Sequence, residues 1–255
     1  MELIHNFSLV HDDIQDQSPL RRGRPTVWSR WGAAQAINAG DALFTLAHLA
    51  LLRLEETVSP GVVLQASRIL QETCLSLTQG QYLDMAYQER GDLTLEAYWP
   101  MVEGKTAALF SACTHLGALV AQASPAVCDA YRRFGHSLGL AFQAQDDLLG
   151  IWGDAALTGK STKSDLLSGK KSLPVLYGLS QNGLFAARWA KGPVASTEVS
   201  ALAAQLEAEG ARAYTQERTG AFTDQALQAL QEAKPGGESG AALVELTHLL
   251  SSRQA

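Results

Sequence analysis

Residues 1–26 read MELIHNFSLVHDDIQDQSPLRRGRPT. The apolar positions Phe7, Leu9, Val10 and Ile14 recur at helical spacing, which predicts a first helix over about residues 2–16. Asp12 and Asp16 are four apart, so they share one face, about 6 Å apart along the axis. Asp13 lies about 100° round from Asp12. Like charges at this spacing cost a helix a few tenths of a kcal/mol, roughly. They also sit at its C-terminal end, where the macrodipole disfavours anions. Three carboxylates placed there call for a cation, and Mg²⁺ takes one or two carboxylates and fills its shell with water and phosphate oxygens. A solvated acidic helix end is the plain alternative. The apolar flanks argue against it, because they predict a largely buried segment.

The next turn is basic. Pro19 and Gly23-Arg24-Pro25 predict a loop, since proline removes a donor and fixes φ. Arg21, Arg22 and Arg24 crowd this loop. Guanidinium forks bind phosphate oxygens in a bidentate way. An acidic cluster and a basic cluster eight residues apart (Asp13 to Arg21) suggest a metal–phosphate site. An ordinary surface turn remains the alternative.

Beyond this stretch, helical periodicity continues and no convincing alternating strand pattern appears. Long helices are predicted over about 33–55 and 61–88, and another from Thr94 to about 122, interrupted near Pro100. Ser124-Pro125 opens a further one to about Trp152, with serine as N-cap and proline in the first turn. Residues 153–172 read as a polar loop, and loops of that length in a compact domain are usually functional. The last third is helical, with breaks predicted at Gly183, Gly192-Pro193, Gly220 and Pro235-Gly236-Gly237. No repeat or linker divides the chain, so one all-α domain over 1–255 is expected. Of the 255 residues, 46% are hydrophobic and 18% charged, enough for a sizeable core. A net charge of −6 argues against general nucleic-acid binding. Cys74, Cys113 and Cys128 form no metal spacing, and buried free thiols are expected of all three. No apolar run reaches the roughly 18 residues of a membrane span. The start lacks the marks of a signal peptide. A soluble cytoplasmic protein is expected.

A second acidic pair follows an apolar stretch in Phe142-Gln143-Ala144-Gln145-Asp146-Asp147. The polar loop after it carries Lys160, Lys163, Lys170 and Lys171. Upstream, Lys105-Thr106 interrupts a face of Ala, Leu and Phe, and a lone lysine there often only snorkels to solvent. Two acidic pairs on separate helices suit several metal ions clamped around one diphosphate.

These segments together resemble the trans-isoprenyl diphosphate synthases. HDDIQDQSPLRRGRPT is similar to their first aspartate-rich motif and arginine turn. FQAQDDLLGIWGD, TGKSTKSDL and KKSLPVLYGL are similar to the second motif and its lysine loop. GQYLDM (80–85) and KTAALF (105–110) match two further family segments in the expected order. The resemblance covers essentially the whole chain. It implies an all-α isoprenoid synthase-type helical bundle around a deep apolar cavity, as a homodimer. It implies Mg²⁺, three ions bound with diphosphate, held by Asp12, Asp13 and Asp16 and by Asp146, with Asp147 nearby. It assigns Arg21, Lys105 and Lys160 to the allylic diphosphate and Arg22 to the homoallylic one. Thr106 and Gln143 would line the path of the allylic cation, Gln81 and Asp84 would support the metal site, and Lys170 would sit in the loop that closes over it. The implied reaction condenses isopentenyl diphosphate with a C5–C15 allylic diphosphate.

Chain length follows from position. Phe7 and Ser8 are five and four before Asp12, so Phe7 is expected to form a floor about 5.4 Å below the metal site. Small Ser8 leaves room beside it. The pattern resembles the geranylgeranyl-type synthases and predicts a C20 product, with C15 second. An ordinary core phenylalanine is the alternative. Two departures from the family stand out. The chain begins eleven residues before Asp12, so the usual N-terminal helices, with a Gly-Lys-x-x-Arg-Pro motif and a later histidine, are not in this stretch. Gly150 stands where the second motif usually has an aspartate, a gap Asp154 could partly fill, although a plain loop aspartate is the simpler reading of Asp154. Two other readings follow: a class I terpene synthase-like enzyme that ionises an allylic diphosphate, or a non-catalytic subunit of a synthase.

Overall fold

The computed structural model describes residues 1–153 and 164–251. The chain divides into two compact units, one of residues 1–74 with 119–122, the other of 75–118 with 123–255. Helix dominates both, as the sequence periodicity predicts.

In the first unit, α1 (Glu2–Gln15) carries Ile4 into the core and ends at the three aspartates. The chain then reverses in a minimal hairpin, Leu20–Arg21 paired antiparallel with Arg24–Pro25. Arg22 (φ 51°) and Gly23 (φ 74°) both take left-handed backbone at the turn. Only a tight turn demands that of two successive residues, and glycine at the second supplies it without strain. Thr26 and Trp28 clamp the hairpin base, their side chains donating to the Ser18 carbonyl at 2.9 and 2.8 Å. A short α2 (Val27–Trp31) leads into α3 (Ala33–Leu52), which packs along α1. At Gly40 a Cβ would meet the His11 ring, Cε1 at 3.1 Å, so glycine gives that ring its room. A 3₁₀ turn (Arg53–Glu56) ends α3 three residues before the predicted boundary. Helix α4 (Pro60–Glu89) gives its first half to this unit and its second to the other.

The second unit holds α5 (Leu95–Val102), a π-helical turn (Glu103–Ala107), α6 (Ala108–Val120) and α7 (Pro125–Trp152). Two predicted caps are present: Ala97 N–H donates to Thr94 Oγ1 and Val127 N–H to Ser124 Oγ, each at 3.4 Å. The predicted interruption near Pro100 falls instead at the π turn, since Pro100 is accommodated inside α5. Within the predicted polar loop 153–172 a short helix forms, α8 (Ser164–Ser168), and after the loop come α9 (Leu173–Ser180), α10 (Leu184–Trp189), α11 (Val199–Ala208), α12 (Ala211–Ala233) and α13 (Gly237–Ser251). The Gly220 break does not occur, because α12 runs through it while packing along α7. Ala226, Ala229 and Leu230 bury against Phe134 and Leu138 there. Burial of such side chains, at about 1.5–3 kcal/mol for each large one, exceeds the roughly 1 kcal/mol that an interior glycine costs. The break lies at Gly210 instead, whose φ of 88° ends the preceding helix. Cys74 and Cys128 are buried as expected, whereas Cys113 is exposed, because it falls on the outer face of α6.

Candidate functional site

At the end of α1, Arg21 reaches back from the hairpin to both members of the adjacent aspartate pair. Its Nε donates to Asp13 Oδ1 at 2.7 Å and its Nη2 to Asp12 Oδ2 at 2.9 Å. Asp13 is buried, 4% exposed, while Asp12 is half-buried and Asp16 exposed. Burial pulls the Arg21 pKa down, but its bonds and charge contacts with Asp13, then Asp12, outweigh this and leave it raised. The guanidinium thus stays charged and offsets part of the carboxylate repulsion. One turn back, Phe7 lies edge-on to His11 (ring centroids 4.9 Å) and to Phe44 of α3 (5.1 Å), and Phe44 lies 4.4 Å from His48. Ser8 donates to the His5 carbonyl at 2.8 Å, which keeps its hydroxyl on its own helix.

In the second unit, the π turn carries Lys105 and Thr106. π-helical turns of this kind often mark functional positions. Gly80 of α4 lies against this turn so tightly that a Cβ there would stand 2.5 Å from Gly104 C. That approach pairs Lys105 Nζ with Asp84 Oδ2, on the same helix as Gln81. Thr106 Oγ1 donates to Gln143 Oε1 at 2.9 Å, and Gln143 Nε2 donates to Asp147 Oδ1 at 3.0 Å. Asp147 is fully buried, and its Oδ2 accepts from Tyr98 O–H (2.7 Å) and Leu173 N–H (2.8 Å). Asp146 is half-buried.

Lys170 stands 3.6 Å from Asp147 and 3.9 Å from Asp165. Burial alone would lower its pKa, but Asp147, Asp165, Asp146 and Asp84 hold it above the ordinary lysine value. Its neighbour Lys171 turns away and donates to the carbonyls of Tyr87 (2.7 Å), Gln88 (3.1 Å) and Arg90 at the end of α4. One dipeptide therefore ties the segment before α9 both to the acidic cluster and to the helix that bears Asp84.

The carboxylates and cations of each unit are the donor types that a diphosphate and its counter-ions demand. The Polyprenyl synthetase family model matches residues 1–204. The chain belongs to the polyprenyl synthetase family. It is 41% identical over 263 residues to a (2E,6E)-farnesyl diphosphate synthase of Mycobacterium tuberculosis, covering 100% of this chain and 72% of that one. The crystal structure of geranylgeranyl pyrophosphate synthetase from Pyrococcus horikoshii superposes with a TM-score of 0.92 at 31% identity, covering 99% of this chain and 77% of that one. Geranylgeranyl pyrophosphate synthase from Corynebacterium glutamicum, complexed with isoprenyl diphosphate and magnesium, matches at 0.88 and 27%, covering 99% and 77%. The all-α fold is that of the polyprenyl synthases.

Within this polyprenyl synthetase the sequence-predicted residues fall into two local groups. Phe7, Ser8, Asp12, Asp13, Asp16, Arg21 and Arg22 lie in the first unit. Gln81, Asp84, Lys105, Thr106, Gln143, Asp146, Asp147 and Lys170 lie in the second. Lys160 and Asp154 lie outside the described residues. Asp147 differs from the expectation of a residue available to metal: its oxygens are engaged by hydrogen bonds from Tyr98, Leu173 and Gln143 and by the Lys170 ammonium. The space above Gly150 is also explained. A Cβ there would meet the Asp165 carboxylate, Cγ at 2.6 Å, so Asp165 takes the room a side chain at 150 would need. Sequence reasoning singled out neither Tyr98 nor Asp165. The signal for Asp165 was its place five before Lys170, while nothing local marked Tyr98.

Proposed function

We propose that this polyprenyl synthetase condenses isopentenyl diphosphate with an allylic diphosphate to give a C20 prenyl diphosphate, with C15 as second product. The observation that carries the reading is the paired chemistry of the two groups: carboxylates grouped with guanidinium or ammonium, and beside the second group a hydroxyl and amide with no net charge. Mg²⁺ suits these oxygen donors, and the more accessible carboxylates would hold it: Asp12 and Asp16 in the first group, Asp146 in the second. When bound, the metal withdraws negative charge from the leaving diphosphate.

Lys105 and Lys170, with Lys160 outside the described residues, bind the allylic diphosphate and stabilise charge as the C–O bond breaks, and Arg21 supplies the phosphate-binding cation of the first unit. Arg22 serves the homoallylic diphosphate. The electron pair of the broken bond leaves with the diphosphate, and an allylic cation remains. Thr106 and Gln143 present dipoles to that cation. The double bond of isopentenyl diphosphate then attacks it, forming the new C–C bond, and a proton is lost to the departed diphosphate. Phe7, backed by Phe44, limits the tail. In the same proposal the protein works as a homodimer, supported by Ile37, Leu49 and Leu52, which are 47%, 55% and 49% exposed on α3.

The test is incubation of the 255-residue chain with Mg²⁺, labelled isopentenyl diphosphate and C5, C10 or C15 allylic diphosphate. Labelled C20 diphosphate, lost on chelation by EDTA, is the expected result. Diphosphate release without extension would replace the reading with an ionising, cyclase-type enzyme. Neither extension nor release by folded protein would sink both and leave a non-catalytic subunit.

A further inference from the structure

Tyr98, Asp147, Gln143 and Thr106 form a hydrogen-bonded chain whose polarity is set from one end. A carboxylate only accepts, and a backbone N–H only donates. Leu173 N–H and Tyr98 O–H occupy Asp147 Oδ2 at 2.8 and 2.7 Å. The remaining oxygen faces the Gln143 amide at 3.0 Å, so the amide must turn its nitrogen there. Gln143 Oε1 then faces Thr106 at 2.9 Å and can only accept, so the Thr106 hydroxyl must spend its proton on it. Thr106 is half-buried, on the π turn, and its oxygen lone pairs are what it has left to offer. Burial and the Asp147 charge push the Tyr98 phenol well above its ordinary pKa, which keeps it a donor.

We propose that Asp147, held by Tyr98 and the Leu173 amide, is a positioning residue that fixes the polarity of Thr106, so that lone pairs rather than a hydroxyl proton face the developing allylic cation. This rests on the prenyltransferase reading above. An oxygen turned toward a cation attracts it, whereas the hydrogen end of the same dipole repels it. In a water-excluded site such a preorganised dipole costs no reorganisation at the moment of ionisation.

Asp147→Asn reverses the chain without changing its shape. Leu173 N–H still requires an acceptor, so the Asn oxygen takes the Oδ2 place and its NH₂ faces Gln143. The Gln143 amide then flips, its NH₂ points at Thr106, and the Thr106 proton is driven outward. The expected result is a fall in kcat of about 100-fold, in the range seen for loss of one preorganised dipole. KM for the allylic diphosphate stays within about threefold, since Lys170 keeps Asp165. Thr106→Val lowers kcat similarly, Thr106→Ser restores it, and Asp147→Asn in the Thr106→Val background adds less than about threefold. Fully multiplicative losses, an unchanged kcat in Asp147→Asn, or a raised KM at constant kcat would each overturn the proposal. Should Asp147→Asn fail to fold, the Val and Ser variants still keep the proposal refutable, because a Thr106→Val enzyme with normal kcat has no use for the lone pairs. Wild-type protein that neither extends nor ionises an allylic diphosphate would refute the prenyltransferase reading instead.

Discussion

Gly80→Ala sets two effects of opposite sign against each other. Position 80 lies in the interior of the 30-residue helix α4, where alanine is favoured over glycine by about 1 kcal/mol. Propensity alone therefore predicts a more stable protein. Packing predicts the reverse. The new Cβ would stand 2.5 Å from Gly104 C and 2.7 Å from Lys105 Cα. Carbon atoms at their optimal separation sit about 3.5–4.0 Å apart. The backbones of α4 and the π turn must then part by roughly 1 Å, and neither is a flexible side chain that can swing away. Gly104 closes the same approach from the other side, where its own Cβ would meet Ser76 O at 2.7 Å and Gly80 N at 2.9 Å.

Overpacking of this kind costs about 1–3 kcal/mol, and sometimes more. Backbone against backbone belongs at the upper end, so the net effect after the propensity gain is a loss of about 2 kcal/mol. At roughly 2–4 °C per kcal/mol for a chain near this size, the thermal midpoint falls by about 4–8 °C. Function suffers too, because the moved backbone carries Lys105 and Thr106, and a misplacement of about 1 Å can cost about 100-fold in rate. The control is Gly220→Ala, also inside a helix but with nothing within 4 Å of its added Cβ. It gains the propensity and should raise the midpoint with kcat unchanged. Thermal unfolding and steady-state kinetics on both variants decide the matter. A Gly80→Ala protein as stable as Gly220→Ala and fully active would refute the close-approach argument.

Phe7→Ala removes the ring between α1 and Phe44 and should shift products beyond C20, while Ser8→Phe should shorten them; thin-layer or mass analysis of the prenyl alcohols reads both, and an unchanged product pattern in both would leave Phe7 an ordinary core residue. Arg188 fixes the loop before α11 through Glu198, donating from Nε at 3.0 Å and Nη2 at 2.7 Å. That bond, with the Ala195 N–H, lowers the Glu198 pKa to about 2, so its stabilisation is present above the ordinary glutamate range and is lost as pH falls toward 2. Glu198→Gln should flatten the stability profile across that acid window and leave its slope near pH 7 unchanged, as followed by hydrogen exchange of residues 188–198. An unchanged acid limb would show that the contact does not persist in solution.

The long helices were legible because their signals are local. Ser124-Pro125 and Thr94 announce helix starts through donors that only their own next turn can supply, and both caps are made. The Gly220 break was misread because an interior glycine costs about 1 kcal/mol, an amount that packing along a whole neighbouring helix exceeds. Nothing in residues 103–107 announces a π turn, since that turn depends on how closely Gly80 and Gly104 let two backbones meet. Tyr98 was hidden for a similar reason: it acts on Asp147 across 49 positions, and nothing in its own neighbourhood points there.

The adjacent aspartates show why the motifs were found and their members not told apart. Neighbours on a helix diverge by about 100°, so two carboxylates side by side differ in how deeply they are buried, even where one cation such as Arg21 reaches both. In α1 the second member, Asp13, is buried and held by Arg21, which also reaches half-buried Asp12, while Asp16 is exposed. In α7 the second member again turns inward, and Asp147 is held by Tyr98, Leu173 and Gln143 while Asp146 remains half-buried. A buried carboxylate without partners would cost several kcal/mol, roughly, so each inward aspartate must bring donors with it. Those donors are themselves the neighbouring site residues: Arg21 at one motif, Gln143 and Lys170 at the other. In the proposed reaction the inward aspartate thus orients the groups that meet substrate, and the outward one serves the metal. A sequence records two identical letters, whereas the direction each side chain takes is decided by which flank of the helix is covered.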